Sequence, residues 1–98
     1  MKILKEQNGK TMTLTLEGRL DTTTSPELEA VLVNELGDAA ELILDFEHLE
    51  YISSAGLRVL LTAQKKMNTQ GTMIIRNVCE TVREVFEITG FSDILTIQ

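Results

Sequence analysis

The sequence predicts one α/β domain over residues 1–98, with a mostly parallel sheet of four to five strands packed against three or more helices. Segments with the two-residue period of a strand alternate with segments of helical period, which is typical of a parallel sheet with right-handed crossovers. A length of 98 residues leaves room for one core. A hydrophobic fraction of 43% with only 4% aromatic residues indicates that this core is aliphatic.

The chain begins with a predicted β-hairpin. Residues 2–7 and 11–17 flank Asn8 and Gly9, a pair that favours a tight turn. The second segment alternates strictly between aliphatic and threonine side chains, as a half-buried strand does. Residues 18–21 then interrupt the alternation.

The first helix is predicted to begin at Thr24-Ser25-Pro26-Glu27, which offers an N-cap candidate, an early proline and an acidic first turn. Gly37 suits the left-handed residue that closes a helix. Between these signals, four aliphatic residues at helical spacing predict one buried face: Leu28, Val31, Leu32 and Leu36.

The second half of the chain alternates in the same way. A short apolar run from Leu42 to Phe46 predicts a central strand covered on both faces. A connection then leads to a second helix from Ser54 to about Asn68, which ends at Gly71 and has an inner face of Leu57, Leu60, Leu61 and Met67. The remaining predicted elements are a strand at Thr72 to Arg76, a helix at Glu80 to Thr89 closed by Gly90, and a last apolar run at Ile94 to Ile97.

Composition excludes several classes of function. A net charge of −6 and a pI near 4.7 oppose binding to phosphate backbones or anionic lipids, so we expect no nucleic-acid or membrane partner. One cysteine and one histidine exclude an internal disulfide framework and a Cys/His zinc site. No signal peptide or membrane-spanning run is apparent. We therefore expect a cytoplasmic monomer without cofactor or metal.

The most informative segment runs from Tyr51 to Leu61. Ser53 and Ser54 stand at the predicted start of a helix, where N–H groups are unpaired and the helix dipole is positive, so a phosphate there is stabilised. Ala55 and Gly56 have little bulk and leave the hydroxyls open to another protein. The pattern is also typical of a simple N-cap serine followed by a packing glycine.

Two segments resemble a known family. Residues 51–61, YISSAGLRVLL, follow a strand ending in Asp-Phe and closely resemble the switch segment of the STAS anti-sigma factor antagonists. Residues 18–21, GRLD, are similar to the Gly-x-Leu-Asp that follows that family's second strand. The predicted order of elements agrees with the family from end to end. The resemblance therefore implies a STAS fold over residues 1–98.

The resemblance also implies a mechanism. In this family, the unmodified antagonist binds an anti-sigma factor that is also an ATP-dependent serine kinase of the GHKL type, and so frees a sigma factor. The kinase phosphorylates the antagonist on the helix-start serine, which ends the complex, and a metal-dependent serine phosphatase removes the phosphate. The antagonist is a substrate of these enzymes and is not itself an enzyme.

Position by position, the resemblance places the phosphoserine on Ser54 and an acidic residue of the kinase-facing edge on Asp21. The implied partner-binding residues are Asp21, Ser53, Ser54, Ala55 and Gly56. The family often has Asp before the phosphoserine and Ser or Thr after it, whereas this chain has Ser53 and Ala55. Ser53 is therefore a rival acceptor. A STAS scaffold or adaptor that is never phosphorylated is the alternative function.

Other polar residues are weaker candidates. His48 lies in a polar connection and is expected to be exposed. Cys79 precedes the third helix and is expected to be a small buried thiol. A small enzyme that uses Ser54 with Asp21 or His48 is an alternative of a different class. A solvated rim rather than a metal site is predicted for four acidic residues near the switch segment: Glu41, Asp45, Glu47 and Glu50.

Overall fold

Four strands and three α-helices follow one another in the order that the periodicity predicts, and a 3₁₀ helix that was not predicted follows the last of them. The computed structural model describes all of residues 1–98. None of the helices is long and apolar enough to cross a membrane. The strands are β1 (Lys2–Asn8), β2 (Thr11–Leu20), β3 (Glu41–Ile52) and β4 (Thr72–Arg76). The helices are α1 (Ser25–Glu35), α2 (Ser54–Gln70) and α3 (Glu80–Thr89), with the 3₁₀ helix at Phe91–Asp93.

The sheet has the strand order β1-β2-β3-β4. β1 and β2 form the predicted antiparallel hairpin, whereas β2, β3 and β4 are parallel. Near the end of the chain, Ile97 bridges Ile75 in parallel, which adds a very short fifth segment beside β4. The predicted class, a mostly parallel sheet of four to five strands with three helices, is confirmed.

The three helices pack on one face of the sheet. The parallel strands are added in one direction, and right-handed crossovers in one direction put their helices on the same side. Buried side chains from these helices and from alternate positions of the strands form a single cluster of 23 residues. This core is aliphatic apart from Phe46 and Phe86, whose ring centroids lie 6.4 Å apart.

Most residues predicted for the inner helix faces are buried. Val31 and Leu61 are exceptions, because both are only half-buried. The buried face of α2 is wider than predicted, since it also includes Val59, Ala63 and Gln64. The confirmed inner residues are Leu28, Leu32, Leu36, Leu57, Leu60 and Met67.

The opposite face of the sheet is only partly covered, so the expectation that β3 is buried on both faces is wrong. In the register of the sheet, Ile43 stands between Thr13 and Ile74, and all three are half-buried. The neighbouring Leu42 and Leu44 are fully buried against the helices. An aliphatic residue on the partly exposed face therefore makes an alternating strand look like a continuous apolar run.

β3 does not end at Phe46, as predicted, but continues to Ile52, so the expected connection before α2 belongs to the strand. Its pairing with β2 contains two irregularities, each of which places one additional residue on β3. Phe46, Leu49 and Ile52 are consequently all buried although they lie three residues apart. A search for a two-residue period cannot detect such a strand.

Glycines follow the helices where predicted. Gly37 and Gly90 have left-handed φ values of 55° and 81° after α1 and α3. Gly71 follows α2 in an extended conformation, and a Cβ there would lie 1.8 Å from the carbonyl oxygen of Ala40. Only a glycine at position 71, just before β4, can therefore lie this close to Ala40, just before β3.

The burial of the bulged part of β3 is testable with two neighbouring substitutions. Leu49→Ala should lower the free energy of unfolding by about 2 to 5 kcal/mol, because it leaves a cavity at a residue that is only 1% exposed. His48→Ala, at the exposed neighbour, should change it by less than about 0.5 kcal/mol. Urea unfolding measures both values. Similar small effects for the two variants would show that residues 47–52 form a loop.

Candidate functional site

The carboxyl ends of β2 and β3 meet at one edge of the sheet. Leu20 pairs with Ile52 in the parallel register, so the next residues on the two strands, Asp21 and Ser53, begin neighbouring segments. The backbone N–H of Ser53 donates a hydrogen bond to the Leu20 carbonyl oxygen at 2.9 Å. The structure thus brings together the two segments that the sequence singled out.

Gly56 sets the distance between α2 and these strand ends. A Cβ at Gly56 would lie 2.8 Å from a side-chain carbon of Leu20 and 2.8 Å from one of Ile52. Such contacts are closer than carbon atoms tolerate, so the first turn of α2 packs here only because residue 56 has no side chain. Gly56 is buried, and the prediction that its small size leaves room for another protein is therefore wrong. Its small size serves packing within the chain.

The two serines lie in different environments. Ser53 occupies the N-cap position of α2 with an extended backbone, but its side chain makes no capping hydrogen bond. The Ser53 Oγ is buried and has no hydrogen-bond partner. Ser54 is exposed. Of the two hydroxyl groups, only that of Ser54 is open to a large partner.

The amino-terminal end of α2 has free hydrogen-bond donors. The first bond of the helix is donated by the Leu57 N–H to the Ser53 carbonyl oxygen at 3.0 Å. The N–H groups of Ser54, Ala55 and Gly56 therefore have no acceptor within the helix. These donors and the positive end of the helix dipole favour an anion at this position.

Asp21 organises the turn between β2 and α1. Its Oδ1 accepts hydrogen bonds from the N–H groups of Thr23 and Thr24 at 3.0 and 3.1 Å, and its own N–H donates to the Thr24 Oγ1 at 2.9 Å. Thr24, the predicted N-cap, makes no side-chain cap to α1; its Oγ1 accepts the bond from Asp21 and donates to the Arg19 carbonyl oxygen at 2.7 Å. The backbone N–H of Thr24 is the main cause of the lowered pKa of the Asp21 carboxyl, with Thr23 and Arg19 adding to it against the effect of burial.

Two arginines beside the site were not singled out from the sequence. The Arg19 guanidinium lies over the Tyr51 ring, 4.3 Å from its centroid, and 3.7 Å from Asp21 Oδ2. Arg58 is exposed, forms no ion pair and lies four residues after Ser54, on the same side of α2. The four-residue spacing could have identified Arg58, whereas the Arg19–Tyr51 contact depends on the register of β2 and β3.

The acidic residues do not form one group. Asp45 is buried, which contradicts the predicted solvated rim, and it accepts hydrogen bonds from Asn77 and Arg76 and from the N–H of Glu47. Burial alone raises the pKa of Asp45, but these bonds outweigh burial and lower it. Of the others, Glu47 and Glu50 are exposed and Glu41 is half-buried. The structure contains no group of three or more such side chains placed to hold a metal ion.

The remaining candidates lie apart from this edge. His48 is exposed, as predicted, and the Ser54 hydroxyl forms no hydrogen bond with His48 or Asp21. Cys79 is a free, half-buried thiol that donates to the Leu49 carbonyl oxygen at 3.4 Å. The geometry therefore places Asp21, Ser53, Ser54 and Ala55 along one edge, with Ser54 most accessible.

Comparison with known proteins identifies relatives over the whole length. The model of the STAS domain family matches residues 2–98. BtrV of Bordetella bronchiseptica is 34% identical over 99 residues, which cover 99% of this chain and 85% of BtrV. The anti-sigma-B factor antagonist of Bacillus subtilis is 29% identical over 93 residues, which cover 94% of this chain and 85% of that protein.

Solved structures show the same fold. SpoIIAA from Bacillus in its phosphorylated form has a TM-score of 0.77 at 23% identity, with 99% of this chain and 91% of that chain covered. The anti-sigma factor antagonist SpoIIAA in its unphosphorylated form has a TM-score of 0.74 at 21% identity, with 99% and 87% covered. At these identities the likeness shows a shared fold.

The structural role of the Asp21 carboxylate is testable by thermal unfolding. At pH 7, Asp21→Ala should lower the melting temperature, because the N–H groups of Thr23 and Thr24 lose their acceptor. Asp21→Asn should stay close to wild type, since its amide oxygen accepts the same bonds. Equal melting temperatures for Asp21→Ala and wild type would show that the Asp21 carboxylate does not stabilise this turn.

The pH dependence gives a second readout. The pKa of Asp21 is lower in the folded protein than its ordinary value, so its contribution to stability is present above about pH 4 and is lost as the pH falls through the folded pKa. The difference in melting temperature between wild type and Asp21→Ala should therefore shrink on acidification below pH 4. A difference that stays constant down to pH 2 would contradict this assignment.

Proposed function

Because the chain belongs to the STAS domain family, we propose that it is an anti-sigma factor antagonist regulated at Ser54. In the unmodified form it binds an anti-sigma factor that is also a GHKL-type serine kinase, and so releases a sigma factor. Phosphorylation of Ser54 ends this binding, and a serine phosphatase restores it. The chain acts by binding and not by catalysis, in the cytoplasm, where sigma factors work.

The relatives support the antagonist function. The Bacillus subtilis relative is named an anti-sigma-B factor antagonist, and its likeness extends over nearly all of this chain. The two SpoIIAA structures are of a protein with and without phosphate, but at 21% and 23% identity they bear on the fold alone. The choice of Ser54 as acceptor therefore rests on the geometry of this chain.

The observation that carries the proposal is the contrast between the two serine hydroxyls. A kinase must reach the hydroxyl that it modifies, and Ser54 is exposed at the end of α2. The Ser53 Oγ is buried and has no hydrogen-bond partner. Accessibility therefore favours Ser54 over its neighbour, in agreement with the position implied by the family resemblance.

A phosphate on Ser54 fits the folded chain. It adds about −1.5 to −2 charge beside the three free N–H groups of the first turn. Arg58 lies one turn later, and helical side chains lean toward the amino-terminal end, so its guanidinium can reach the phosphate. Arg58 has no other ion-pair partner, because the four ion pairs of the protein involve other residues. Phosphorylation should therefore leave the fold intact.

The same phosphate is unfavourable in an interface. A partner fitted to a bare hydroxyl beside the small Ala55 must bury a bulky dianion, which costs several kcal/mol unless a counter-charge is present. The acidic side chain of Asp21 lies along the same edge and adds like charge. Phosphorylation thus weakens the complex without unfolding the antagonist.

Five proteins test the switch by titration against the anti-sigma factor kinase of the host cell. Wild type and Ser54→Ala should bind with similar affinity. Ser54→Asp should bind more weakly, and Ser54-phosphorylated protein should lose about a hundredfold or more in affinity. Ser53→Ala is the matched control: it should bind normally and still accept phosphate. Phosphorylation of Ser54→Ala but not of Ser53→Ala would contradict the assignment to Ser54.

The phosphorylated protein should also be as stable as the unmodified one, or more stable by about 0.5 kcal/mol from the Arg58 pair. Arg58→Gln should remove this gain in the phosphorylated protein only, whereas Lys65→Gln, at another exposed cation of α2, should not. Urea unfolding measures these differences.

The binding titration also tests the antagonist function itself. If wild type binds the anti-sigma factor neither with ADP nor with ATP, the antagonist function is excluded. If wild type binds but is never phosphorylated, a scaffold is favoured.

A further inference from the structure

A groove runs between α1 and α2 on the outer side of the helical layer. Its volume is about 180 Å³, and its walls are mainly aliphatic: Leu32, Val33, Leu36, Val59 and Ala63. Glu29 and Lys66 stand at its borders. A concave apolar surface with a charged border has the anatomy of a site that receives a side chain of another protein.

Val33 is open to solvent at this groove. It is 74% exposed, whereas Leu32 and Val59 beside it are only 7% and 6% exposed. The exposed apolar surface is therefore concentrated at the mouth, above a floor that is already packed. The charged side chains at its border, Glu29 and Lys66, have no ion-pair partner within the chain.

The groove is continuous with the edge that carries Ser54. Its upper end shares Glu29 and Val59 with a second depression, which is lined by Pro26, Ala55 and Arg58 among others. Ala55 follows Ser54 directly, and Arg58 lies on its side of α2. A protein seated on Ser54 thus has an uninterrupted path into the apolar groove.

We propose that the groove receives an aliphatic or aromatic side chain of the same anti-sigma factor that binds at Ser54. This inference rests on the proposed function and adds a second, apolar anchor to it. Val59 and Lys66 follow Ser54 by 5 and 12 residues, which corresponds to roughly 7 to 18 Å along a helix. A phosphate on Ser54 does not fill the groove, so the anchor contributes to binding independently of phosphorylation.

Two substitutions by the uncharged polar residue asparagine, each at an exposed apolar position of a helix, test the anchor. Val33→Asn should weaken binding of the host cell's anti-sigma factor kinase about tenfold, because a polar side chain at the mouth disfavours an apolar anchor. Ile88→Asn is the matched control, since Ile88 on α3 is 88% exposed and lies outside the groove. It should leave the affinity unchanged. Thermal unfolding of both variants verifies that each is folded.

The outcomes separate the two proposals. If wild type and Val33→Asn bind the anti-sigma factor with the same affinity, the groove anchor is overturned and the antagonist function stands. Absence of binding by wild type would overturn the antagonist function. A direct probe of the groove is N-acetyl-L-leucinamide at millimolar concentration, followed by amide chemical shifts. Shifts at Val33, Val59 and Ala63 in wild type that are lost in Val33→Asn support the anchor, and an absence of shifts there counts against it.

Discussion

The backbone hydrogen bond from the Ser53 N–H to the Leu20 carbonyl oxygen joins the two halves of the site. It continues the parallel pairing of β2 and β3 by one residue beyond Ile52, and so aligns the start of α2 with the end of β2. Gly56 completes the junction, because any side chain there would collide with Leu20 and Ile52. With the helix held this close, the Asp21 turn and the first turn of α2 form one continuous edge.

This junction also separates the roles of the two serines. Ser53 is the last extended residue before α2, and its Oγ is buried and forms no hydrogen bond. Ser54 is the first helical residue and is exposed. The chain therefore presents one hydroxyl and shields the other. Because the exposed hydroxyl coincides with the unpaired donors of the helix end, a phosphate is compatible with the fold and yet changes the charge and bulk of this edge.

The parts of the fold that depend on local pattern were predictable from the sequence. Alternation identified β2, helical spacing identified the buried leucines of α1, and the order of elements indicated a parallel sheet. The bulged end of β3 was not predictable, because the inward direction of Leu49 arises from pairing with β2 rather than from spacing along the chain. The same limit applies to the site: the motif identified Ser53 and Ser54, but only the folded chain shows that the Ser53 Oγ is buried and that Ser54 is exposed.

We propose Ser54, and not Ser53, as the hydroxyl on which regulation acts. The most direct measurement is mass-spectrometric mapping of phosphate on the protein isolated from its host cells, with fragment ions that separate Ser53 from Ser54. Because the Ser53 Oγ is buried and Ser54 is exposed, we expect a single phosphate on Ser54. Phosphate on Ser53, or no phosphate on either serine in both growing and stressed cells, would contradict it.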